Sequence, residues 1–158
     1  MLPVDSKLNI LAAPNAKVNN ASFTTNVLDT QGFRYAKIYF MIGAIDATMT
    51  TLKLQESDGK SSATALDGNA VDIVGTRIGT DNSDAYPAAT STLPTSSNTN
   101  VIVAFEVDLR PRKRYLQLVA TSGNGAAGVY GVAWAELSRG EQTPTTAADK
   151  NLLEVMRV

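Results

Sequence analysis

The chain has 158 residues, 44% of them apolar and 18% charged, with a formal net charge of -1 and neither cysteine nor histidine. A domain of this length buries roughly 70% of the surface its unfolded chain would expose, enough for one hydrophobic core. Without cysteine there are no disulfides, thiolate nucleophiles or Cys-based metal sites; without histidine, Ser-His-Asp and Cys-His catalysis and the commonest transition-metal ligand are excluded.

The near-neutral charge supplies no overall field toward nucleic acid or an anionic membrane. Carboxylate, lysine or tyrosine chemistry, or a Ser-Lys pair, is what remains open to catalysis.

Residues 1–20 lack a basic n-region, and their apolar run is interrupted by Asn9 and ended by Pro14, so they make a poor signal peptide. Leu8, Ile10, Leu11 and Val18, spaced by Asn and Pro, predict an extended N-terminal arm or an edge strand. No apolar stretch approaches the roughly 20 residues a bilayer span needs, and the expectation is a chain soluble where it is made. A short strand is expected over 21–28, before the turn signal Asp29-Thr30-Gln31-Gly32.

The densest segment is Gly32 to Asp58, two strands around a tight Gly-containing connection. Phe33 to Ile42 is apolar on both alternating sets: Phe33, Tyr35, Tyr39 and Met41 on one, Ala36, Ile38, Phe40 and Ile42 on the other. One side is expected in the core and the other against a neighbouring layer or subunit. Arg34 and Lys37 can carry their charged ends out along such a surface.

Thr48 to Ser57 alternates Leu52 and Leu54 against Lys53 and Gln55, a half-buried strand, and Ala70 to Ile78 predicts another. The stretch 79–100, rich in Ser, Thr, Asn and Pro, is a long loop, read either as a variable solvated surface or as a contact with a subunit or receptor.

Val101 to Leu109 places Val101, Val103, Phe105, Val107 and Leu109 inward and Glu106 and Asp108 outward. A hairpin is expected from there through the turn Arg110-Pro111-Arg112-Lys113 to the strand Arg114 to Thr121. A second hairpin turn, Ser122-Gly123-Asn124-Gly125, leads to the strand Gly128 to Leu137. A helix is possible only in 146–158, with Leu152, Leu153 and Met156 on one side, docked on its own core or exchanged onto a neighbour.

The expected architecture is all-β: an antiparallel β-sandwich or jelly roll of seven to nine strands over 21–140, with the N-terminal arm and a C-terminal tail over 141–158.

The clusters that invite chemistry each have a plain alternative. Arg110, Arg112, Lys113 and Arg114 form a basic turn that is solvated, bridges subunits, or binds phosphate. With no flanking aromatic platform, nucleic acid is the weakest of these. Asp81, Asn82, Ser83 and Asp84 offer oxygen ligands without the spacing of a calcium loop.

Glu106 with Asp108, or Glu136 with Glu141, could be proposed as a glycosidase pair, which needs facing carboxylates with one raised pKa. GNGAAG at 123–128 lacks the Lys-Ser/Thr of a phosphate loop. Trp134, among Gly131, Ala133 and Ala135, reads as a core anchor before it reads as a sugar platform.

The order GFRYAKIYFMIGAIDATMTTLKLQESD, then VAFEVDLRPRKRYLQLVATSGNG, then VYGVAWAEL resembles the small capsid-associated proteins of tailed bacteriophages over roughly Gly32 to Leu137. The matching features are the aromatic strand followed by IGAID, the LKLQESD strand end and the DL-x4-RYLQL hairpin of Asp108 to Leu118.

The resemblance implies a decoration or cement protein that binds the outside of the head and clamps major capsid subunits. It also implies a homo-oligomer, with a trimer favoured, and no catalytic residues, metal or cofactor. It places the protein in the virion, on the capsid surface, after synthesis in the host cytoplasm, with no nucleic acid or membrane among its partners. Tyr35, Tyr39, Arg110, Arg112, Lys113, Arg114, Leu152 and Met156 are the candidate interface residues. The alternative is a carbohydrate- or receptor-binding sandwich of a phage particle, using Trp134, Tyr86 and the 79–100 loop.

Overall fold

The computed structural model describes residues 6–73, 75–76, 85–86, 93–141 and 146–153. The Asp81 to Asp84 cluster, the side chain of Tyr86, most of the 79–100 loop and Met156 lie outside the described residues. The strands are β1 (Lys7–Lys17), β2 (Leu28–Asp29), β3 (Tyr35–Ile45), β4 (Thr51–Ser57), β5 (Lys60–Ser62), β6 (Ala65–Leu66), β7 (Val71–Asp72), β8 (Gly75–Thr76), β9 (Ala85–Tyr86), β10 (Val101–Asp108), β11 (Tyr115–Thr121) and β12 (Val129–Ser138). They form two four-stranded sheets, ordered β1-β12-β3-β10 and β2-β11-β4-β7, and two small ribbons, β5-β6 and β8-β9. Every pairing is antiparallel, giving a β-sandwich-like all-β fold.

The inner faces follow the alternation in the sequence. Ala36, Ile38, Phe40 and Ile42 of β3 and Ala133, Ala135 and Leu137 of β12 are buried with Leu52 and Leu54 of β4 and Leu116, Leu118 and Ala120 of β11 in one core cluster. Phe40 is the anchor, meeting Phe23 edge-on at 5.3 Å between ring centroids. Gly131 makes room for it, since a Cβ there would sit 2.8 Å from the Phe40 ring. This is why β12 turns small residues inward and Trp134 outward, so Trp134 is not the core anchor its neighbours imply.

The two expected hairpins do not form. β10 pairs with β3 whereas β11 pairs with β4 and β2, so the basic turn crosses from one sheet to the other. The 122–128 connection also crosses, from β11 back to β12, and β3 and β4 of the dense segment likewise lie in opposite sheets. Carboxylates of the second sheet explain the first crossing: Glu56 on β4 accepts the Lys113 N–H at 3.1 Å, and Asp29 on β2 takes the Arg114 guanidinium through two bonds of 2.9 and 2.7 Å.

In the other crossing Asp46 accepts the Ala127 N–H at 2.7 Å. Gly128 there has φ +68°, and a Cβ on it would lie 2.0 Å from the Lys17 carbonyl oxygen.

The expected strand over 21–28 is largely irregular, with one bridge at Ser22 and regular pairing only in β2. Side chains replace the ladder: Thr25 Oγ1 donates to the Leu118 carbonyl at 2.6 Å, and Gln117 Nε2 donates to the Thr25 carbonyl at 3.2 Å. The expected strand over 70–78 is represented by the short β7 and β8.

Of the two readings for residues 1–20, Lys7–Lys17 is an edge strand. Within the described part of the stretch read as a possible helix, 146–153, the chain makes a single turn. Thr146 and Asp149 cap its start reciprocally, and Asn151 at φ +57° ends it, with Leu152 N–H returning to the Ala147 carbonyl at 2.9 Å.

Candidate functional site

The first sheet carries the feature that distinguishes this molecule. With its even positions packed inward, β3 turns Tyr35, Lys37, Tyr39 and Met41 outward, and β12 turns Tyr130, Val132, Trp134 and Glu136 to the same side. The register lines these residues up across all four strands: Ile10, Trp134, Tyr39 and Ala104 form one row, and Val132, Met41 and Ile102 the next. Ile10 is 67% exposed, Ile102 56%, Tyr130 49% and Met41 37%. Among the described residues nothing covers this stripe.

Tyr39 and Trp134 stack at 5.2 Å with 23° between their planes, so each spends one ring face on the other. Tyr130 lies over Gly43, where a Cβ would sit 3.2 Å from its ring. A row of alternating charge borders the stripe, Glu136, Lys37 and Glu106, within which Lys37 and Glu106 pair at 2.8 Å. The pairing raises the Lys37 ammonium and lowers the Glu106 carboxyl from their usual ranges.

Where β3 begins and β10 and β12 end, the same sheet closes on a groove of about 680 Å³ lined by Arg34, Tyr35, Asp108, Arg110, Arg139 and Glu141, with Gly140 beside them. Arg110 grips Asp108 through Nε at 2.9 Å and holds its carboxyl down at about 2. Desolvation, then the nearby Glu106 charge, raises the Tyr35 phenol. Arg139 sits at φ +54°, a left-handed conformation that costs a residue with a Cβ about 1 kcal/mol. Among the described residues no carboxylate lies within ion-pair distance of Arg34 or Arg139.

The candidate interface residues divide. Tyr35 and Tyr39 fall on the outer face, one in the groove and one in the stripe. Each cation of the basic turn has a carboxylate of its own chain: Arg110 with Asp108, Arg112 with Glu56 at 3.4 Å, Lys113 with Asp58 at 3.8 Å, and Arg114 with Asp29. Leu152 is half-buried in the C-terminal turn, whose Lys150 carbonyl accepts the Leu8 N–H at 3.0 Å.

Ile10, Ile102, Tyr130, Arg34 and Arg139 were not among the sequence candidates. The two-sided apolarity of β3 was the signal for the stripe, whereas the groove depends on a register that no local pattern reveals. Of the first glycosidase pair, Glu106 binds Lys37 and Asp108 binds Arg110, and both carboxyls are lowered, opposite to what a general acid needs. No family model, curated protein or solved structure matches the chain.

Proposed function

We propose that the chain is a non-enzymatic structural protein of a tailed-bacteriophage particle that binds the outside of the capsid and stabilises it. In this reading the major capsid protein is the partner and the protein acts as a homo-oligomer, with a trimer the first state to test. The virion reading comes from the sequence resemblance. The carrying observation is the aromatic and aliphatic stripe across all four strands of the first sheet. Contiguous apolar surface rimmed by charge is the makeup of a protein interface, and Tyr, Trp and Met are enriched at interface cores.

The two sheet orders support a finer reading of the fold as a jelly roll. Setting the small ribbons aside, the first sheet takes the first, third, sixth and eighth strands and the second takes the rest, as two interlocked Greek keys require.

Co-sedimentation with empty heads of a phage encoding the chain, together with its mass by light scattering, tests the function. Pelleting with the shells and a mass above the monomer are expected; a strict monomer with no affinity for the shells overturns the reading.

The exposed aromatic pair keeps the carbohydrate alternative in view. Mutual stacking leaves Tyr39 and Trp134 less ring face for a sugar. Glycan binding abolished by Trp134→Ala with folding intact would favour that alternative.

A further inference from the structure

The register explains why the groove is charged as it is. Tyr35 opposes Ser138, so Arg34 and Arg139 follow the last pair of adjacent antiparallel strands and come together at one end of the sheet. The Arg34 N–H donates to the Ser138 carbonyl at 3.4 Å, which fixes the two backbones side by side. Like charges so placed destabilise a sheet unless something neutralises them. The other described arginines are already neutralised by Asp108, Glu56 and Asp29. Arg139 adds a left-handed backbone, the kind of local strain that gathers at binding sites.

We propose that the groove between Arg34 and Arg139 receives a single Glu or Asp carboxylate presented by the protein that docks on the outer face of the first sheet. This rests on reading that face as the docking surface, and the groove continues it, since Tyr35 lines the groove and precedes Lys37, Tyr39 and Met41 on the same side of β3. Charge favours a carboxylate over a phosphate. Three arginines against Asp108 and Glu141 leave one unit of positive charge, which a monoanion balances and a dianion overshoots. Guanidinium groups bind carboxylates bidentately, so the groove sets orientation as well as attraction.

The test uses the full chain, the blocked peptide acetyl-Gly-Glu-Gly-amide and its Gln counterpart, followed by two-dimensional NMR. Addition of the Glu peptide is expected to shift the amide signals of Arg34, Tyr35 and Ser138 to Glu141, with the Gln peptide at least fivefold weaker. Arg34→Gln and Arg139→Asn, the latter chosen because Asn accepts a positive φ, should each weaken binding fivefold or more at unchanged melting temperature. Glu141→Gln should tighten it severalfold.

Equal binding of the two peptides, wild-type binding by both arginine variants, or response to inorganic phosphate but not to the Glu peptide would each overturn the proposal. Peptide binding without shell binding leaves the groove standing and removes the capsid reading. Shell binding with no response to the peptide does the reverse.

Discussion

On the outer side of the second sheet, Gln117 donates to the carbonyls of Thr25 and Thr64 and accepts the Leu66 N–H, while Lys53 and Gln55 both hold Asp72. The β5-β6 ribbon lies against that side, with the Lys60 ammonium over the Tyr115 ring at 5.4 Å. The outer side of the first sheet has no such cover among the described residues and carries Ile10, Trp134, Tyr39, Met41 and Ile102 in adjoining rows. Both sheets bury one face in the same core. The second completes its other face with polar bonds from its own chain, and the first leaves its own open. In the proposed reading, that asymmetry singles out the outer side of the first sheet as the contact face.

The largest effect should fall on the shared inner side, where the two sheets do not differ. Phe40→Ala is expected to cost about 3–5 kcal/mol in urea unfolding, because it empties the space that Gly131 and Phe23 are shaped around. Next comes the covered face. Gln117→Leu strands the bonding groups of Thr25, Thr64 and Leu66 and should cost about 1–3 kcal/mol, read the same way. A cost near zero there would break the contrast between the faces.

On the open face, Ile10→Ser with Ile102→Ser should change unfolding free energy by no more than about 0.5 kcal/mol per site while abolishing association with shells or between copies. A large loss of stability with association intact would reverse the assignment of that face.

The smallest effect is the pH response at the rim. Asp108 has a folded pKa of about 2 against an ordinary value of 3.8, so its pairing with Arg110 stabilises the fold above about pH 4. That contribution is lost as the pH falls toward 2, and Asp108→Asn should flatten this part of the acid-unfolding curve.

The fold class was legible because alternation survives in the sequence: β3, β4, β10 and β12 show which residues face inward. Which strands pair was not. A turn such as Arg110 to Lys113 closes a hairpin or crosses between sheets with the same residues, and the partners that decide, Glu56 and Asp29, lie far away in sequence. Trp134 lies outward because phase outranks size: Ala133 and Ala135 hold the inward positions of β12. Half of the open outer face was legible in the two-sided apolarity of β3, but the groove depends on the long-range register that sets Tyr35 opposite Ser138.

The sheet-to-sheet crossings carry a kinetic consequence. Since β3 and β4, β10 and β11, and β11 and β12 are neighbours in sequence but belong to opposite sheets, no adjacent pair among them can zip up locally. The edge pairing of β1 with β12 joins the first strand to the last. Such non-local wiring places the chain among the slower folders, on the order of milliseconds to seconds. The nascent chain therefore holds the Ile10 strand unpaired, and one edge of the Met41 strand open, until β12 has been made, and early capture of these edges by another copy is the hazard that this topology carries during synthesis.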